Sequence, residues 1–152
     1  MFNLPEQFTA HFSPPQKKWN IKLSHKMISE MEEIELYLSK LPVPKSNRYI
    51  RPKGGKVFKP PRVTNWEARA IWELREQFKG DAIDYEISVD ITLILPNRRK
   101  RDIDNMLKSL WDVMEKAGVI KNDNLIFEVH TVKKIEKGKE GVIIKIRPFQ
   151  SP

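Results

Sequence analysis

The stretch from Ile83 to Leu95 constrains the fold most. Tyr85, Ile87, Val89, Ile91, Leu93 and Leu95 alternate with polar neighbours as far as Thr92, and Ile94 then makes the end apolar on both sides. Alternation at period two predicts a strand with a buried face, and a run this long predicts a central one. Pro96 and Asn97 end it, because proline cannot continue a ladder. A few residues on, the period changes. Ile103, Met106, Leu107, Leu110, Val113, Met114 and Ala117 recur at helical spacing, and Gly118 supplies the stop. Whatever sits between this strand and this helix is held at the end of a rigid element.

The other elements arrange themselves around that unit. Ile34, Leu36 and Leu38 alternate with polar residues and predict a first strand. A proline-rich basic loop follows, from Leu41 to Arg48, and Arg51 to Arg62 adds five cations around Gly54-Gly55. The two glycines predict a small hairpin or flap, from which Tyr49 and Phe58 could stack on bases while the cations meet phosphates. A solvated surface loop explains the same residues. Thr64 with Glu67 three residues later reads as a capping box, opening a helix through Trp66, Ala70, Ile71, Leu74 and Phe78 that Gly80 stops. Trp66 and Trp72 are expected to pack. Lys121 to Asn124 form a polar turn, Leu125 to Val132 a strand, and Val142 to Ile146 a last strand that closes a terminal hairpin. Met1 to Lys18 show no period and predict an irregular arm packing through Phe2, Phe8, Phe12 and Trp19, with a helical turn over Ser24 to Glu30. The expectation is therefore a single α/β (α+β) domain over residues 32–148, a mixed sheet with helices packed on it. An N-terminal extension (1–31) and a tail (149–152) flank it.

Charge narrows the partner. The 152 residues carry 28 Lys and Arg against 20 Asp and Glu, a formal net charge of +8. An anionic partner follows, nucleic acid before an acidic membrane surface. No apolar run approaches the roughly 20 residues that span a bilayer, and no basic-then-apolar signal opens the chain. With no cysteine, thiol catalysis and Cys-ligated zinc are excluded, and a reducing cytoplasmic compartment is expected. His11, His25 and His130 have no ligand spacing.

The strand–helix junction itself reads Arg98-Arg99-Lys100-Arg101-Asp102-Ile103-Asp104-Asn105, then Lys108. Four consecutive cations abut two carboxylates, and a phosphate held against a divalent ion would bridge the two signs. Asp102 and Asp104 offer the oxygen donors that Mg²⁺ prefers, the cations suit a nucleic-acid backbone, and Lys108 could offset charge developing on a phosphoryl group. A helix start explains part of the pattern equally well. Asp102 would be the N-cap, Asp104 would favour the helix dipole, and Asp104, Lys108 and Asp112 would form a surface ion ladder. Asp123 reads as a turn residue, and Glu128 has no assigned place.

Together these residues, with Ala117-Gly118, Asn122-Asp123 and the early run Leu41-Pro42-Val43-Pro44-Lys45-Ser46-Asn47-Arg48-Tyr49, resemble the RusA-type Holliday junction resolvases over about residues 34–147. That family shows R-R-D-x-D-N-x-x-K, then A-G and an acidic turn, and an L-P-x-P-x-S-N-x-x-Y loop. The resemblance implies a homodimer that nicks two strands of a four-way DNA junction symmetrically, with Mg²⁺ (or Mn²⁺ in its place) and no small-molecule cofactor, leaving 5′-phosphate and 3′-hydroxyl ends. By position it implies Asp102, Asp104 and Asp123 as metal ligands and Lys108 as the catalytic lysine. Lys45, Asn47, Arg48, Arg51, Lys53, Lys56 and Arg98 to Arg101 would contact DNA. Asn122 stands where the family often has a second acidic residue, and the first 30 or so residues have no counterpart in its short members. Two other readings share these residues. One is a branched-DNA-binding protein that keeps the fold without cutting, and the other is a nuclease for other branched DNA.

Overall fold

The computed structural model of the chain describes residues 33–47 and 49–152. The arm expected over 1–31 lies outside the described residues, as does Arg48. Four strands form one mixed sheet in the order β1-β4-β2-β3, with β1 over Ile34–Leu38, β2 over Ile87–Leu95, β3 over Ile126–Ile135 and β4 over Gly141–Pro148. Two helices, α1 over Pro61–Gln77 and α2 over Ile103–Lys116, complete the domain.

β2 is central, as its alternation requires. It pairs antiparallel with β4 and parallel with β3. Ile87, Val89, Ile91, Leu93 and Leu95 are buried, and so are Leu36 of β1 and Ile144 of β4, which align on the same face. Met106, Leu110, Val113 and Met114 of α2, with Trp66, Ala70 and Leu74 of α1, join them in one core. A parallel pair cannot be joined by a tight turn. α2 is the crossover between β2 and β3, and it runs back along the sheet to return the chain to the starting end.

The expected terminal hairpin is not formed. β3 and β4 are adjacent in sequence, but β2 lies between them and β4 instead joins β1 to β2. Alternation shows which face of a strand is buried, not which strand pairs with it. The regular strand also begins later than expected, at Ile87. Ile83 makes an isolated parallel bridge to Ile120, where α2 hands over to the turn before β3.

α1 starts one turn earlier than the capping-box pattern indicates. Pro60 is its N-cap and Pro61 its first residue, a position where proline's fixed φ suits a helix and its missing N–H costs nothing. Thr64 lies inside the first turn, its hydroxyl donating to the Pro61 carbonyl at 3.0 Å. Glu67 is buried and holds Lys59 at 3.0 Å and Lys116 at 3.5 Å. The helix ends at Gln77 with Phe78 as its cap, before Gly80 is reached. Trp66 packs as expected, but Trp72 is 59% exposed.

The last turns of α1 seal the β1 edge. The Gln77 amide accepts from the Tyr37 N–H at 2.7 Å and donates to the Tyr37 carbonyl at 2.6 Å, taking the place of a further strand. Glu73 accepts from the Ser39 N–H at 2.8 Å and from the Ser39 hydroxyl. Replacing Gln77 by Ala orphans both Tyr37 backbone groups, and urea unfolding should show a loss of about 1–3 kcal/mol. Gln77→Glu, whose buried carboxylate would face the Tyr37 and Glu73 carbonyls, should lose at least as much as Gln77→Ala.

Candidate active site

β2 ends at Leu95, and the next seven residues carry the chain to α2. Asn97 organises this loop. Its side-chain oxygen accepts from the Arg99 N–H at 3.0 Å and from the Arg101 guanidinium at 3.0 Å. Arg101 also donates to the Arg99 carbonyl at 3.2 Å, and Lys133 of β3 donates to the Arg101 carbonyl. The loop's backbone is thereby fixed, while Arg98, Arg99 and Lys100 stay exposed.

Asp102 is the N-cap of α2, as one reading of the sequence predicts. One of its carboxylate oxygens accepts from the Asp104 N–H at 3.0 Å, and the other from the Asn105 amide at 3.1 Å. The cap satisfies one of the four orphan N–H groups of the helix start. It also turns the carboxylate to the helix's positive end. Asp104 is 81% exposed and lies 3.7 Å from the Lys108 ammonium one turn on. An exposed pair of this kind contributes little stability. Its effect is positional, keeping a cation beside a carboxylate that solvent and ligands can reach.

Asp102, but not Asp104, lines a groove of about 390 Å³, together with Asn105, Ser46, Asn47, Arg62 and the cations Arg99 to Arg101. The proline-rich run Leu41 to Pro44 also lines it, and the Ser109 hydroxyl of α2 ties this run down by donating to the Val43 carbonyl at 2.5 Å. Lys45 and Asn47 sit exposed on a 3₁₀ turn, Lys45–Asn47, beside this groove. Beyond it Ile50 and Phe58 exchange two backbone hydrogen bonds of 2.8 and 2.9 Å, forming a minimal flap whose tip turns at Gly54 with φ of 75°. Arg51, Lys53 and Lys56 are exposed on that flap, as are Tyr49 and Phe58. The Lys59 ammonium lies 5.6 Å from the Tyr49 ring centre. Arg62 and Lys133 are site residues that no motif singled out, and Asn105, though part of the junction motif, had no role assigned to it. Arg62 was visible as one cation of the basic run, whereas Lys133 reaches the loop only because β3 lies parallel to β2.

Asp123 is placed elsewhere. It opens the 3₁₀ turn Asp123–Leu125 beyond the far end of α2, where its N–H donates to Glu115 at 2.6 Å. Fourteen helical residues at about 1.5 Å each separate the two ends of α2 by about 20 Å. Among the described residues no group of three or more His, Asp and Glu side chains gathers where a metal ion could be held. Asp102 and Asp104 fit a hard divalent cation by donor type, and within one chain they are a pair. Glu128 joins neither end. It sits on the other face of the sheet in a network where Arg147 reaches Asp90 at 2.6 Å and Glu128 at 3.2 Å.

Comparison with known proteins places this arrangement. The family described as Endodeoxyribonuclease RusA matches residues 41–147. Two relatives carry the name crossover junction endodeoxyribonuclease RusA. The Escherichia coli K12 protein is 26% identical over 90 residues, covering 59% of this chain and 75% of its own length. That of enterobacteria phage 82 is 27% identical over 95 residues, with the same coverage. No helix among the described residues is long and apolar enough to cross a membrane.

The cap separates the two roles of Asp102. Asp102→Ala should lower stability by about 1 kcal/mol, whereas Asp102→Asn, a good N-cap, should stay within a few tenths of the wild type. Thermal unfolding of both variants checks this, and loss of function in Asp102→Asn would then report on the charge alone.

Proposed function

This chain belongs to the RusA endodeoxyribonuclease family, and we propose that it resolves four-way DNA junctions by hydrolysing one phosphodiester in each of two strands. The observation that carries this reading is the groove. The capping carboxylate of α2, Asp102, and the cations Arg62 and Arg99 to Arg101 line it together. The names of the relatives supply the substrate class. Three carboxylates unhelpful to DNA binding alone count against a protein that only binds.

The residues divide the work by charge. Arg62 and Arg99 to Arg101 hold a phosphate backbone along the groove, and Lys45, Arg51, Lys53 and Lys56 extend the hold toward a neighbouring arm. Tyr49 and Phe58 offer ring faces on which unpaired bases can stack. Asp102 and Asp104 would hold Mg²⁺, with Mn²⁺ as a substitute, and Asp123 is the third candidate ligand. When bound, the ion would acidify a water and neutralise charge at the phosphate. Lys108 offsets the negative charge that develops on the phosphoryl oxygens. A water oxygen bonds to phosphorus as the P–O3′ bond breaks, and the leaving oxygen takes up a proton. The ends are then a 5′-phosphate and a 3′-hydroxyl. A homodimer provides two such centres related by symmetry, which accounts for paired nicks.

The decisive test is cleavage of a labelled synthetic junction, with linear duplex alongside, in Mg²⁺ and in EDTA. Paired nicks on the junction alone, only with the metal and absent in Asp102→Asn, are expected. Tight junction binding with no cutting under any divalent metal would overturn the nuclease reading in favour of a binding module. Cutting of flaps or other branched DNA in preference to junctions would change the substrate. Binding should also weaken steeply with salt, and Arg51→Ala should make the log–log slope shallower by about 1.

A further inference from the structure

α1 turns its two kinds of charge to opposite sides. Its buried face carries the carboxylates Glu67 and Glu73 among the core residues. Glu67 holds Lys59 at 3.0 Å and Lys116 at 3.5 Å, and Glu73 accepts from the Ser39 N–H at 2.8 Å. With these two drawn inward, the exposed residues from Pro61 to Lys79 carry Arg62, Arg69, Arg75 and Lys79 against Glu76 alone. An ordinary solvated helix face intersperses both signs. Trp72 stands in the middle of this basic face, 59% exposed.

Helical spacing makes the face continuous. Arg62, Asn65, Arg69, Trp72 and Glu76 follow one another at steps of three and four, and all are exposed. Ala68, one turn before Trp72, is exposed too, and is too small to shield the ring. Arg75 donates to the Lys116 carbonyl at 3.1 Å, which fixes its guanidinium where α1 meets the end of α2. Glu76 is paired at 3.8 Å with exposed Lys79. At the other end the face runs into the groove, which Arg62 lines. Trp72 is ten residues along the helix from Arg62, about 15 Å at 1.5 Å each. A duplex advances about 3.4 Å per base pair, so an arm leaving the groove reaches Trp72 after about four base pairs. Its bases are paired there, and an aromatic ring meets sugar edges instead.

We propose that the outer face of α1 is a second nucleic-acid contact, which grips the backbone of a duplex arm beyond the groove. Arg69 and Arg75 meet phosphates, and Trp72 packs on the deoxyribose between them. The contact reads no sequence. It lengthens the hold on an arm and fixes the direction in which that arm leaves the groove. It rests on the reading that the groove holds a DNA backbone, and not on cleavage. A protein partner would use Trp and Arg as well. The face, however, runs without a break into a groove whose cations suit phosphate, and that continuity selects DNA.

Binding of a labelled, long-armed four-way junction in EDTA, where nothing is cut, tests this contact. Arg69→Ala should weaken binding several-fold and make the log–log salt slope shallower by about 1 for each subunit bound. Trp72→Ala should weaken it several-fold with the slope unchanged, since the ring carries no charge. Both positions are exposed, and urea unfolding of both variants should match wild type. A methylphosphonate, which removes one backbone charge, is then moved along an arm. At about four base pairs from the branch it should cost wild type several-fold and Arg69→Ala nothing further. Junction binding by both variants equal to that of wild type would overturn the proposal and leave the face to a protein partner. A shallower slope in Arg51→Ala would show that the DNA reading itself survives that result. Methylphosphonate costs equal in wild type and Arg69→Ala at every position would also overturn it. A wild type that binds no junction would sink the groove reading and the α1 contact with it. A junction bound through α1 as described, but never cut when Mg²⁺ is supplied, would sink the nuclease reading and leave the α1 contact standing.

Discussion

The parallel pairing of β2 with β3 is the constraint on which the rest depends. Parallel neighbours oblige the chain to travel back along the sheet before it can pair, and α2 makes that journey. Its start therefore lies where β2 ends, and its end lies where β3 begins. Everything chemical about the chain follows this division. Asp102, Asp104 and Lys108 belong to the start of α2, Asp123 and Glu115 to its end. A helix of 14 residues is too long for side chains to bridge.

The start of α2 is also where cations and carboxylates are forced together. In an isolated loop such cations would scatter into solvent. Here Asn97 folds Arg101 back on the loop, Lys133 holds the Arg101 carbonyl, and the Asp102 cap fixes the first carboxylate against the helix N–H groups. The proline-rich lining of the groove is tied down as well, because Ser109 anchors it to α2. Preorganisation of this kind lets charged groups act on a phosphate without first being ordered.

Much of this was legible in the sequence. The β2 alternation, the α2 period and the Asp102 cap are local, and each is written in consecutive residues. The start of α1 was misread because Thr64 and Glu67 match a capping box, while Pro60-Pro61 already begin the helix and Glu67 is drawn inward by Lys59 and Lys116. The insertion of β4 between β1 and β2 could not be read, since alternation carries no information about neighbours. The position of Asp123 was hidden for a similar reason. Nineteen residues after Asp104 it looks close, and only the crossover shows that those residues are spent on going away. Lys133 belongs to no motif, and only the parallel register of β3 on β2 brings it to the loop.

The division of the acidic residues is the central claim, and a paramagnetic ion tests it most directly. Mn²⁺ titrated into isotope-labelled protein broadens amide signals near the place it binds. Signals from Asp102 to Asn105 are expected to broaden at low Mn²⁺ concentration in wild type and to stay sharp in Asp102→Asn. Broadening at Asp123 to Leu125 with Asp102 to Asn105 untouched would contradict this.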